Sequence, residues 1–310
     1  MHRRRRAIGR SVDRMKLQSP RRLLFFLAAA SLAAASASAS DIYVTTDYQQ
    51  FGVVDLSTGA FAPIGPGTPE PDYGLVPGPN GTFYSVSAVS GTLVSINPNT
   101  GATTVIGATG VGSNVLNLAS LNGKLYLTDI SNNLYSVNPA TGHATKIAAT
   151  GIPPDAAPPG TVNPDGTIDY CDENLLGLNG KLYATYDEFH LDPSTNAETF
   201  VHEPNLWSID PTTGHATLID PTTINLSGLV NVSGQFDVFL GLPTNVSELE
   251  TLNLTNGNTT FVRDVDPAAG LIFGAAAVPE PASMALTGFG LCCAAFLLRR
   301  RRRGTGLEVD

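Results

Sequence analysis

The residues best suited to chemistry lie between Gly151 and Trp207. The stretch "GIPPDAAPPGTVNPDGTIDYCDEN" carries Asp165, Asp169, Asp172 and Glu173. Four carboxylates in nine residues offer the hard oxygen ligands that calcium takes. The spacing is not that of an EF-hand loop, because Gly166 falls at the wrong position and no glutamate closes the loop. A solvated acidic loop is the competing account. A second group follows in "YATYDEFHLDPSTNAETFVHEPNLW", with Asp187, Glu188, His190, His202 and Glu203. Imidazole and carboxylate together suit a metal such as zinc. A hairpin turning at Pro193–Asn196, with Asp192 opposite Ala197, predicts Asp187 opposite His202. Ordinary cross-strand pairing of surface polar residues accounts for the same pattern without a metal.

No nucleophile motif accompanies these groups. The chain has no Gly-x-Ser-x-Gly, no phosphate loop and no His-Glu-x-x-His. Cys171 is the only cysteine in the body of the chain, which excludes an internal disulfide there, and Cys292 and Cys293 fall in an apolar tail. His143 and His215 occupy one repeat position and read as scaffold. The leading expectation is therefore a non-catalytic binding protein. The alternative is a hydrolase or lyase with acids or calcium around a central channel. That reading needs charged residues at equivalent places in several repeats, and Asp129, Asp172 and Glu173 do not recur in that way.

The elements that must position these residues are repeats. Five segments align without gaps: "FGVVDLSTGAFAPIG" from Phe51, "LVSINPNTGATTVIG" from Leu93, "LYSVNPATGHATKIA" from Leu134, "LWSIDPTTGHATLID" from Leu206 and "LETLNLTNGNTTFVR" from Leu249. Their starts are 42, 41, 72 and 43 residues apart. Each predicts a hairpin of alternating β-formers around an Asn/Asp-Pro-x-Thr-Gly turn. Proline presets φ and glycine takes the left-handed position. A second phrase precedes most of them: "PNGTFYSVS", "LNGKLYLTD", "LNGKLYATY" and "VSGQFDVFL". Its central turn joins two further strands. Four antiparallel strands in about 42 residues is the unit of a β-propeller blade. The first unit lacks a leading strand, while "AAGLIFGAAA" (Ala268–Ala277) is a strand without a blade. Joining them closes the ring and protects its sheet edges. The expected fold is all-β, with about five blades over residues 40–277. Six would follow if the 72-residue spacing hid a degenerate one.

The ends are a different material. Between Asp41 and Val278 there are four basic residues, Lys124, Lys146, Lys181 and Arg263, against 23 acidic ones, a formal charge of −19. Such a body repels nucleic acid and anionic lipid. Residues 1–39 read as a signal peptide, with Arg21-Arg22, the apolar run Leu23–Ala35 and small residues through Ala39. Met15 would start a signal of more ordinary length. These features imply Sec export and signal peptidase. Near the other end, Ala282–Leu298 is 17 residues without a charge, about 26 Å as a helix against a bilayer core of roughly 30 Å. Arg299, Arg300, Arg301, Arg302 and Arg303 follow it and hold that end inside, leaving the body outside.

The order Pro279-Glu280-Pro281, apolar segment, arginine cluster resembles the PEP-CTERM sorting signal of Gram-negative bacteria, also labelled "ice-binding protein C-terminal". The resemblance spans residues 278–303. It implies recognition by an exosortase, a membrane-embedded processing enzyme. It implies nothing about ice. With the repeats, the acidic body and the export signals, the expectation is a binding or adhesion protein of the cell envelope or extracellular matrix, with envelope polysaccharide as its candidate partner. Gly304–Asp310, a short cytoplasmic tail in this reading, extends past the point where such signals usually stop.

Overall fold

A computed structural model describes residues 41–153, 160–195, 197–221, 226–232, 234–241 and 247–277. The expected signal peptide, sorting motif and membrane segment lie outside these residues. Among the described residues no helix is long and apolar enough to cross a membrane.

The strands form five four-stranded antiparallel sheets, each read from the innermost strand outward. Blade 1 holds β1 (Asp41–Thr46), β2 (Phe51–Asp55) and β3 (Phe61–Pro63). Blade 2 runs β4 (Asp72–Pro77), β5 (Phe83–Ser87), β6 (Thr92–Ile96) and β7 (Thr103–Ala108). Blade 3 runs β8 (Val115–Leu121), β9 (Lys124–Asp129), β10 (Asn133–Val137) and β11 (Ala144–Ala149). Blade 4 runs β12 (Ile168–Leu178), β13 (Lys181–Asp192), β14 (Ala197–Ile209) and β15 (Ala216–Pro221). Blade 5 runs β16 (Leu226–Val232), β17 (Gln235–Gly241), β18 (Ser247–Leu252) and β19 (Thr259–Asp264). The last strand, β20 (Ile272–Ala277), returns to pair with β1, Ile42 opposite Ala277 and Val44 opposite Ala275. It supplies the inner strand that blade 1 lacks. The closing strand begins four residues later than expected, because Pro267–Ala269 forms a 3₁₀ turn. The long spacing hides no sixth blade; the loop before β12 and the lengthened strands of blade 4 fill it.

The apolar residues form five clusters, each shared by two neighbouring blades. Leu134 and Tyr126 of blade 3 meet Leu182, Ile209 and Ala216 of blade 4. Ile42 and Val54 of blade 1 meet Phe239 and Leu249 of blade 5. Blades 2 and 3, 1 and 2, and 4 and 5 are joined in the same way. A four-stranded sheet buries both faces only when it has a neighbour on each side. A ring meets that demand for every blade.

The repeat motif has a reason for each residue. In the turn between the third and fourth strands, the Asx side chain accepts from the amide two residues on: Asp55 from Ser57 at 2.7 Å, Asn97 from Asn99 at 2.9 Å, Asn138 from Ala140 at 2.9 Å, Asp210 from Thr212 at 2.7 Å and Asn253 from Thr255 at 2.9 Å. The threonine hydroxyl then accepts from the amide after the glycine, as Thr141 does from His143 and Thr213 from His215, both at 3.3 Å. The glycine is required twice over. Gly142 has φ +78°, and a Cβ there would lie 2.3 Å from the carbonyl oxygen of Gly107 in the preceding blade. The turn of one blade is thus the contact with the outer strand of the one before.

Two further repeats escape a reading of the sequence. Blades 2 to 5 share a bulge in the outermost pair, leaving Ile106, Ile147, Ile219 and Val262 as the extra residue. Buried threonines after the outer strands of blades 2 and 3 tie back to the loop between the middle strands. Thr109 Oγ1 donates to Gly91 O at 2.6 Å and Thr150 Oγ1 to Asn132 O at 2.7 Å.

Candidate functional site

Each blade has a turn end, carrying the short repeat turns, and a loop end, carrying the connections between its middle strands and to the next blade. The chemistry expected from the sequence falls at the loop end of blade 4. Elsewhere the second strand has five to seven residues; here β13 has 12. It forms an overhanging hairpin with β14, capped by an Asx turn in which Asp192 accepts from Ser194 N at 2.8 Å. The preceding loop folds against it: Gly160 N donates to Asp169 O and Asp169 N to Thr161 O, and Val162 bridges Ile168.

Asp169 is buried within this overhang. Its Oδ1 receives Asn163 Nδ2 at 2.6 Å and lies 3.1 Å from His190 Nε2. Asp165 sits apart, in the exposed turn. It accepts from Thr167 N at 3.0 Å and Thr167 Oγ1 at 2.7 Å, and these hydrogen bonds hold its carboxyl below the usual range. Asp172 and Glu173 stand on β12 opposite Asp187 and Tyr186; the positions of their side chains are not described. Among the described residues, no three His, Cys, Asp or Glu side chains converge as a metal site.

Asp192 pairs with Ala197 as the sequence predicts, but Glu188, not Asp187, faces His202. Two register shifts, on either side of Glu188, cause the change. His202 Nε2 lies 3.5 Å from Glu188 Oε2, longer than a normal hydrogen bond, and its ring lies against Tyr186 at 6.0 Å. Two imidazoles about one-third exposed thus each rest on a buried carboxylate. When neutral, an imidazole held at Nε2 keeps Nδ1 as an acceptor. The arrangement can present polar groups to a ligand.

The axis of the ring is a different environment. The inner strands enclose a cavity of about 160 Å³ lined by Leu75, Leu118, Leu175, Leu229 and Ala275, with Asn174 among them. None of its lining residues is charged.

Sequence reasoning missed Asp72, the first residue of β4. It is 2% exposed, and its Oδ2 has no hydrogen-bond partner. Burial, with the nearby charge of Glu70, pushes its carboxyl up to about 7. No local signal marks it, since its burial is made by residues distant in the chain. Glu70 is the opposite case. It accepts from Ser87 and from Ser90 at 2.8 Å, and these bonds hold it below its usual range.

No protein-family model and no characterised protein matches this chain.

Proposed function

We propose that this is an exported, non-catalytic protein whose propeller binds or adheres within the cell envelope or extracellular matrix. The observation that carries the reading is the order of features at residues 278–303: Pro-Glu-Pro, an uncharged segment and five arginines. The ring-closing strand ends at Ala277, next to the first of them. A processing enzyme acting at that motif would release the blades intact.

In this reading, Sec machinery and signal peptidase export the chain, and residues 282–298 hold it in the membrane with the body outside. An exosortase then cleaves at or near Pro279–Pro281. The arginines keep the tail from following the body, since carrying charge through hydrocarbon is costly. Pro279 and Pro281 keep the motif extended. An apolar, uncharged axis supports binding over catalysis at the channel.

Mass spectrometry of the protein from its native cells tests the sorting. The expected mature chain begins near Ser40 and ends near Pro279–Pro281. Arg299–Asp310 retained on the exported protein would replace processing with permanent anchoring. A screen of envelope polysaccharides, with and without calcium, tests the binding. Polysaccharide cleavage in that screen would favour a hydrolase or lyase.

A further inference from the structure

The turn end of every blade carries a row of three residues across its second, third and fourth strands. The register that pairs Leu182 with Ile209 and Ala216 sets Lys181, Asp210 and His215 in the next row. The equivalent row in blade 3 is Lys124, Asn138 and His143. In blade 1 it is Asp41, Asp55 and Ala60, in blade 2 Thr82, Asn97 and Ala102, and in blade 5 Gln235, Asn253 and Asn258. The middle residue is always Asp or Asn, because the turn needs an Asx acceptor. The flanking positions carry no such demand. Only blades 3 and 4 place lysine and histidine there. The turn hydrogen bonds do not require the side chains of these lysines or of the two histidines that the sequence reads as scaffold.

The surroundings are those of a binding surface. Lys124, Lys181, His143 and His215 are all exposed. Neither lysine forms a salt bridge among the described residues. In blade 4 the row borders a groove of about 430 Å³, continued by the hydroxyls of Ser208, Thr212 and Thr217. Blade 3 repeats the next row on the same face: Tyr126, Ser136 and Thr145 correspond to Tyr183, Ser208 and Thr217. Three of the four basic residues in a body of formal charge −19 are on these two adjacent blades. At physiological salt charges are screened beyond about 8 Å, so a local cation can act inside an acidic body.

We infer that blades 3 and 4 form a paired site for an acidic polysaccharide, a chain of uronic acid sugars. Each lysine takes one carboxylate. The histidine, the Asx residue and the hydroxyls take sugar hydroxyls. Two like rows of polar side chains on neighbouring blades fit a ligand that repeats, and joint occupancy multiplies weak contacts. Nucleic acid is the poorer fit, since its phosphates bring about one charge per 1.7 Å to a strongly acidic body. The inference deepens the matrix-binding reading and rests on it.

The test is a titration of the full-length purified protein with oligogalacturonates of increasing length, a neutral cello-oligosaccharide and a DNA duplex. The variants are K124Q, K181Q, the double variant and the double Lys→Arg variant. Each is checked for an unchanged melting temperature. The inference expects oligogalacturonate binding that strengthens with length and weakens about tenfold or more in the double Lys→Gln variant. The Lys→Arg variant should restore it. Binding unaffected by the double Lys→Gln change overturns this site and leaves matrix binding standing. Equal binding of the neutral chain, or a preference for DNA, overturns the ligand class. Binding of no polysaccharide overturns both the site and the matrix-binding reading.

Discussion

Blades 3 and 4 are nearly the same blade at one end and different blades at the other. At the turn end both read Lys-Leu-Tyr, then Ser, then Asx-Pro-x-Thr-Gly-His-Ala-Thr, and share the Asx, threonine and glycine hydrogen bonds of the turn. At the loop end, blade 3 stops at Asp129. Its carboxylate accepts from Ser131 N at 3.0 Å, Asn133 N at 2.9 Å, Asn133 Nδ2 at 3.0 Å and Tyr135 Oη at 2.8 Å, closing the strands in a short loop. In blade 4 the equivalent position is Tyr186, 1% exposed in the core shared with blade 3. A tyrosine brings no carboxylate to gather the loop amides as Asp129 does, and the strands run on to Asp192. A tyrosine in place of the aspartate, with fifteen inserted residues before Leu206, thus separates a closed loop from an overhang carrying two histidine–carboxylate pairs. The turn end is constrained by docking on the preceding blade; the loop end is free to vary.

The largest expected effect falls on both blades together and sets the scale. A chain ending at Asp266 lacks β20, leaving blade 1 without its inner strand and the ring open. It should lose cooperative unfolding, seen as a broad, shallow thermal transition. A truncation that melts like the intact propeller would show that the blades do not depend on closure.

The next effect separates the loop ends. Tyr186→Ala empties a fully buried site and should cost about 4 kcal/mol. Asp129→Ala leaves Tyr135 and the loop amides without their acceptor and should cost about 2 kcal/mol. Urea denaturation reads both. Equal costs would mean that cap and core residue are interchangeable anchors.

The turn glycines sharpen the other half of the comparison. Gly142→Ala combines positive φ with a clash against the Gly107 backbone and should cost about 3 kcal/mol. Gly123, with φ +75° and nothing within 4 Å of an added Cβ, should cost only about 1 kcal/mol as alanine. If the two match in urea titrations, docking between blades contributes little beyond backbone conformation.

Asp72 extends the contrast to blade 2 through pH. Its carboxyl binds a proton more tightly in the folded chain than in the unfolded one. Its contribution is therefore fully present below pH 4 and is lost as pH rises to about 7, beyond which it is level. Relaxation around the charge reduces the full shift to an expected loss of about 2 kcal/mol. Asp72→Asn should flatten that part of the stability profile and raise the melting temperature at pH 8. A variant with an unchanged profile would assign the pH dependence to other acids.

The blades were legible because their turns are local. Asx acceptor, proline, threonine and glycine act within five residues, so "NPATG" carries its geometry in its own letters. Alternation in "KLYLTD" likewise announces a strand with two kinds of face. Closure was legible by elimination, since blade 1 lacked a strand and the segment around Ile272–Ala277 lacked a blade. The site was less so. The pairing of Asp192 with Ala197 could be read, yet the register shifts beside Glu188 moved the partner of His202 by one residue. Those shifts have no mark in the local residue pattern.

Residue order alone determined the repeat and the acidic, lysine-poor character of the body, because these follow from spacing, turn chemistry and composition; the choice of five blades over six came from the structure. Tertiary structure decided that Gly142 must be glycine against Gly107, that Asp72 Oδ2 is buried without a partner among the described residues, and that Asp169 meets His190. It also set Lys181 in one row with Asp210 and His215. Each of these depends on atoms brought together from distant parts of the chain. A linear pattern carries no distance between residues until the ring closes.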